Sequence, residues 1–220
     1  MKMKIKFTLA LAAFAAVALF RGAEPKKSAC CDAGATDAKA ATEKSCCTGE
    51  QSTAPLSTRS LYQLEATWTN DAGQPAQLAA LRGRPVVLAM FFANCEYACP
   101  IIVDAMKRLG ASLPADVRAK AQFVLVSFDT ARDTPAALKA YRERMELGEA
   151  WTLLRGDAAN VQELAMLLGV KFKQDARGQF SHSNLITVLN PEGEIAHQRA
   201  GLMGDVSEAA KAVVLVAAVK

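Results

Sequence analysis

The chain has 220 residues, 51% of them hydrophobic and 22% charged, with a formal net charge of +4. That length allows one domain with a tail or two small domains, and that composition excludes a wholly disordered or collagen-like chain. Lys2, Lys4, Lys6 and Arg21 all precede the first acid, Glu24, and the remainder balances at 22 bases against 22 acids. A neutral body lacks the excess charge that phosphate binding requires, so no nucleic-acid partner is expected.

Residues 1–23 read as a signal peptide or an N-terminal membrane anchor. Three lysines lead into an uncharged apolar run, FTLALAAFAAVALF, over residues 7–20. The run is short for a membrane span of ~20 residues and suits the core of an export signal. Ala16-Val17-Ala18 is the better cleavage motif, because cutting at Ala13-Phe14-Ala15 leaves too little apolar chain. Cys30 is a poor lipid-attachment residue, since Lys27 stands where a hydrophobic side chain belongs. Export places the chain in the periplasm, or on a membrane facing it, where disulfides can persist.

Residues 24–58 form a linker of Ala, Ser, Thr, Lys and acids, with no aromatic residue. Such a segment buries too little apolar surface to offset its ordering entropy and reads as disordered. It carries two cysteine pairs, Cys30-Cys31 and Cys46-Cys47. Thiolates select soft metals, so these four residues are candidates for an auxiliary metal site. A disulfide-clipped linker fits equally well, because six cysteines allow 15 pairings.

Residues 59–220 alternate between strand and helix patterns. Leu61–Thr69 alternates weakly and turns at Asn70-Asp71-Ala72-Gly73. Pro85–Ala93 is a continuous apolar run, as expected of a strand buried on both faces. Pro100 to about Leu113 has helical spacing. Gln122–Phe128 is a second buried strand. Ala136–Leu147 is a helix capped by Thr134 and opened by Pro135. Val161–Leu168 lies in a helix that Gly169 stops. Asn184–Leu189 and Glu194–Arg199 flank a turn at Pro191-Glu192-Gly193 and form a hairpin. Ser207–Val219 closes the chain as a helix. The order predicts an α/β fold with a central mixed sheet flanked by helices, and ~160 residues suffice for one core.

The chemistry concentrates at Phe91-Phe92-Ala93-Asn94-Cys95-Glu96-Tyr97-Ala98-Cys99-Pro100. Both cysteines fall between a strand end and a helix start, where open α/β sheets bind ligands. The positive end of a helix lowers a nearby thiol pKa and favours thiolate. The three-residue spacing leaves a redox dithiol, a metal site and a structural disulfide all open.

Three motifs in order resemble the Sco/SenC copper chaperone family. They are Cys95-x-x-x-Cys99-Pro100, Ser127-Phe128-Asp129-x-x-Arg132-Asp133-Thr134-Pro135, and His182-Ser183-Asn184-Leu185-Ile186 leading into Asn190-Pro191-Glu192-Gly193. The resemblance spans roughly Leu61–Gly201. It implies a thioredoxin-like fold over 59–220, with copper held by Cys95, Cys99 and His182. Two sulfurs and one imidazole suit Cu(I), and the imidazole helps retain Cu(II). The resemblance also implies a metallochaperone rather than an enzyme, with a respiratory oxidase subunit or another cuproprotein as partner and no catalytic residues. Family loops often carry proline and aspartate between the cysteines, where this chain has Glu96, Tyr97 and Ala98.

Asp129 is a candidate to tune the site or receive a partner, and Tyr97 to shield the metal. Either can equally be an ordinary loop residue. Arg132 and Asp133 suggest a local ion pair or a cap, and His197 a solvent-facing strand residue. The alternative function is a thiol–disulfide oxidoreductase that keeps the cysteine ligands of a client cuproprotein reduced. His182-Ser183 stands where thioredoxin-like redox enzymes place a proline, which disfavours general redox catalysis. A peroxidase is disfavoured, because Phe92 takes the place of the threonine such sites carry three residues before the reactive cysteine.

Mass spectrometry of the exported or membrane-bound chain tests the leader. Loss of Met1, or an intact Met1 in the membrane fraction, is expected. An intact Met1 in a purely cytosolic fraction contradicts export.

Overall fold

The computed structural model describes residues 55–218. The N-terminal segment 1–23, most of the 24–58 linker and its four cysteines lie outside those residues. Within the described residues no helix is long and apolar enough to cross a membrane.

Nine strands and five α-helices follow one another from Trp68 onward. Strand β1 (Trp68–Asn70) turns back into β2 (Pro75–Ala76). The Asn70 side chain organises that turn by accepting from the Ala72 and Gln74 amides. Strand β3 (Val86–Phe91) is buried at all six positions, as its unbroken apolar run requires. It feeds helix α1 (Ala98–Ser112), then the short α2 (Ala115–Arg118) and β4 (Gln122–Ser127). Helix α3 (Pro135–Arg144) starts as its sequence dictates: Thr134 accepts from the Ala137 amide, and Pro135 occupies the first turn, where no N–H is needed.

Strand β5 (Trp151–Arg155) and helix α4 (Ala158–Leu168) follow. Gly169 ends α4 in the left-handed conformation, φ 72°. Two three-residue strands, β6 (Phe172–Gln174) and β7 (Phe180–His182), come next. The chain closes with β8 (Leu185–Leu189), β9 (Ile195–Ala200) and α5 (Ser207–Ala217).

The main sheet has the order β2-β1-β5-β4-β3-β8-β9. Its centre, β5-β4-β3, is parallel, and both flanks are antiparallel. This is the expected mixed sheet. Strands β6 and β7 pair only with each other, in a separate two-stranded sheet. Helix α1 packs against β3 and α5, and α3 against β5 and β1. Gly110 lets α1 come down on the sheet, since a Cβ there would stand 2.8 Å from the Phe123 ring.

Several boundaries move relative to the sequence reading. Helix α1 begins at Ala98, two residues before Pro100, so Cys99 lies inside its first turn. Strand β5 and the β6–β7 hairpin are additions. His182 ends a strand rather than standing in a loop. His197 is half-buried on β9 opposite Val188, toward the far end of the sheet from the cysteines.

One buried carboxylate joins the two central strand ends. Asp133 accepts from the Ala93 amide at 2.8 Å and from the Ser127 hydroxyl, and is 2% exposed. Burial pushes its pKa up, against the opposing pull of Ser127 and Ala93. Asp133→Ala strands two donors and is expected to cost about 2–5 kcal/mol in denaturant unfolding. A folded-state pKa above the unfolded value means stability that is present at low pH and lost as pH rises through it. Wild type should therefore gain stability relative to Asp133→Asn between neutral pH and about pH 4. A wild type that loses stability relative to Asp133→Asn on acidification contradicts this assignment.

Candidate metal centre

The cysteine loop leaves the carboxyl edge of the parallel strands. After β3, Phe92 and Ala93 stay buried, and the Cys95 amide closes a turn on the Phe92 carbonyl at 3.2 Å. The N-cap residue of α1, Tyr97, makes no side-chain cap. Cys95 caps the helix instead, its sulfur accepting from the Cys99 amide at 3.3 Å. The loop backbone is held further by Arg144, which donates to the Ala93 carbonyl at 2.6 Å.

Both cysteines are free thiols. Cys99 is fully buried and Cys95 is 9% exposed. The Cys95 pKa falls well below the ordinary thiol range, chiefly because the Cys99 S–H donates to its sulfur, with further help from His182 and the backbone amides of Cys99 and Tyr97. Cys99 is pushed up for the complementary reason, by the adjacent Cys95 and by burial. The two sulfurs are therefore unequal, Cys95 biased toward thiolate and Cys99 toward thiol.

The third group arrives from the hairpin. A donor nitrogen of His182 and the two sulfurs all lie within 4.8 Å of one another, the one such group of three potential ligands among the described residues. Nδ1 of His182 lies 3.1 Å from the Ser183 carbonyl. A carbonyl only accepts, so Nδ1 donates to it, and Nε2 is the ring nitrogen left to ligate. The ring stands against Phe128 at 4.9 Å and edge-on to Phe92 at 6.1 Å. Phe180 packs on both of those rings, and Phe172 stacks on Phe128.

A cleft of about 360 Å³ opens beside the group, lined by Phe92, Asn94, Cys95, Tyr97, Phe180 and His182 among others. Tyr97, 74% exposed, stands at its rim. Two soft sulfur donors and a neutral imidazole in an aromatic wall can hold one soft ion at low coordination number. The same two sulfurs can also exchange with a disulfide.

The structure thus brings Cys95, Cys99 and His182 together and leaves Asp129 outside the group. The Asp129 carboxylate is 1% exposed and ion-paired with Arg132. Asp133 turns inward to Ala93 and Ser127, so the expected Arg132–Asp133 pair is an Arg132–Asp129 pair. The linker cysteines Cys30, Cys31, Cys46 and Cys47 are not among the described residues. The aromatic wall escaped the sequence reading. Its signal was the Asp175–Gly178 turn between Phe172 and Phe180, which marks a hairpin.

Comparison with known proteins gives a consistent answer. The SCO1/SenC family model matches residues 56–217. A Stutzerimonas stutzeri protein named as copper-binding is 36% identical over 152 residues, 67% of this chain and 72% of that one. The structure of Bradyrhizobium japonicum ScoI with copper bound superposes with a TM-score of 0.56 at 22% identity, covering 69% of this chain and 96% of that one. BsSco, described as a Sco family member with a disulfide switch, superposes with a TM-score of 0.61 at 22% identity, covering 72% and 95%.

Alkylation of the reduced, metal-free protein tests the thiolate. Cys95 is expected to react at its plateau rate at neutral pH and to slow only in acid, while Cys99 stays unmodified. His182→Ala should move the acid fall to higher pH. A Cys95 profile centred near the ordinary thiol value of ~8.5 contradicts the assignment.

Proposed function

The chain belongs to the SCO1/SenC family, and we propose that it is a copper metallochaperone whose cargo is held by Cys95, Cys99 and His182. The observation that carries this reading is the convergence of two sulfurs and one imidazole nitrogen within 4.8 Å. Cu(I) prefers such soft, low-coordinate sites. The Cys95 thiolate meets the ion first. Closing the second sulfur bond then releases the Cys99 proton, so loading is favoured by rising pH. His182 supplies a neutral Nε2, its other nitrogen committed to the Ser183 carbonyl. A three-donor site leaves room for an incoming ligand from a partner. Copper can then pass by stepwise ligand exchange, with no bond made or broken within the protein chain.

The proposed recipient is the copper centre of a respiratory oxidase or another cuproprotein. This is supported by the description of BsSco, which places its family among cytochrome c oxidase assembly proteins. Tyr97 at the cleft rim is the proposed contact for that partner. The basic and apolar leader supports delivery outside the cytoplasm, from the periplasm or from a membrane facing it. The linker pairs Cys30-Cys31 and Cys46-Cys47 are proposed as auxiliary soft-metal ligands.

A second reading, a thiol–disulfide oxidoreductase for the ligand cysteines of a client, is favoured by one observation. Cys95 is a stabilised thiolate beside a free thiol, the state from which disulfide exchange starts.

Anaerobic titration with Cu(I) against a competing chelator separates the two. One equivalent is expected in the globular domain. Cys95→Ser, Cys99→Ser and His182→Ala should each weaken binding by at least about 10-fold, the lower bound seen when even an outer support of a ligand is lost. Wild-type-like copper retention after loss of either cysteine, with rapid disulfide reduction by the metal-free protein, would leave the oxidoreductase in its place.

A further inference from the structure

The two kinds of ligand are mounted differently. Cys95 sits in the tight loop that follows β3, and Cys99 in the first turn of a long helix. The imidazole sits at the end of a hairpin whose strands have three residues each and no pairing with the main sheet. A lone two-stranded hairpin is marginally stable by itself, so something else must hold His182 in place.

A continuous chain of polar contacts runs from the cysteine strand to that hairpin. The Ala93 amide, two residues before Cys95, donates to Asp133. Ser127 donates to the same carboxylate and accepts from the Asp129 amide at 3.0 Å. The Asp129 carboxylate accepts from the Arg132 amide at 3.1 Å and pairs with the Arg132 Nε. The far side of the same guanidinium donates through Nη2 to the Gly178 carbonyl, in the hairpin turn. It also lies 5.8 Å from the centroid of the Phe180 ring, two residues before His182. The turn is shaped to receive it. Gly178 adopts φ 76°, and a Cβ there would stand 3.2 Å from Arg132 Nη1. Asp175 closes the turn by accepting from the Arg177 and Gln179 amides.

From this geometry we propose that Arg132 is a positioning residue. Braced on buried Asp129, it clamps the β6–β7 hairpin and sets the distance of the His182 imidazole from the two sulfurs. The proposal rests on the reading of His182 as the nitrogen ligand. Arginine suits this role because its rigid fork bonds a carboxylate on one side and a carbonyl on the other while its flat face covers a ring. A lysine ammonium is a single point charge and cannot span all three.

The test uses the full chain as wild type, Arg132→Ala, Arg132→Lys and His182→Ala. In the copper-free proteins, amide hydrogen exchange is expected to speed up in Arg132→Ala at Asp175, Gly178 and Ser183 and to stay unchanged across β3 and β4. In the Cu(I)-loaded proteins, X-ray absorption should show the nitrogen scatterer of wild type weakened in Arg132→Ala, with affinity reduced about 10-fold. Arg132→Lys should fall between the two, and it also serves if the alanine variant fails to fold. Hairpin exchange and nitrogen scattering equal to wild type in both variants would overturn the proposal. So would faster exchange spread evenly over the main sheet, which marks a general loss of stability. If His182→Ala binds copper as wild type does, the ligand reading fails, and the copper-free exchange data still decide whether Arg132 holds the hairpin.

Discussion

Strand β3 is hydrogen-bonded on both edges and buried on both faces, so it can present chemistry only where it ends. Its neighbours leave no room for a polar group along its length. The chain must emerge at the carboxyl edge, and there it meets the amino terminus of α1. Cys95 and Cys99 straddle that junction. Their placement follows from the hydrophobic run that precedes them, and their acidity from the amides and the thiol that face the Cys95 sulfur. The Asp133 carboxylate extends the constraint sideways by tying the end of β3 to the end of β4.

On this base the thioredoxin-like fold carries an added part. The β6–β7 hairpin belongs to neither the sheet nor the helix layers. It is held by rings, with Phe172 and Phe180 against Phe128 and Phe92, and by one arginine at its turn. Burial of apolar rings is a nondirectional force, whereas hydrogen bonds from a guanidinium to a carboxylate and a carbonyl are directional. The division is chemical as well as mechanical. The sulfurs are set beside the central sheet and α1, and the imidazole is on the part that is easiest to move.

The sequence disclosed the parts that are written locally. Two uninterrupted apolar runs became β3 and β4, Thr134-Pro135 opened α3, and Gly169 ended α4. Strand β5 was missed because Trp151–Arg155 is short and lies between glycines, with too few residues for a period to emerge. The same shortness hid β6 and β7, and with them the strand setting of His182. The pairing of Arg132 could not be read from adjacency. Asp133 is its neighbour in sequence, but folding turns that carboxylate toward Ala93 and Ser127 and leaves Asp129 to meet the arginine. The convergence of the two sulfurs and the imidazole was legible through motif order and family likeness. Spacing by itself left a dithiol and a distant histidine unconnected.

The sulfur that caps α1 gives the helix start an acceptor supplied by the chain itself. The Cys95 sulfur has the Cys99 amide and thiol as partners, so the helix start has its acceptor without any bound ion. The Cys99 amide is therefore satisfied by the chain itself. The first turn of the helix does not depend on a bound ion for that bond.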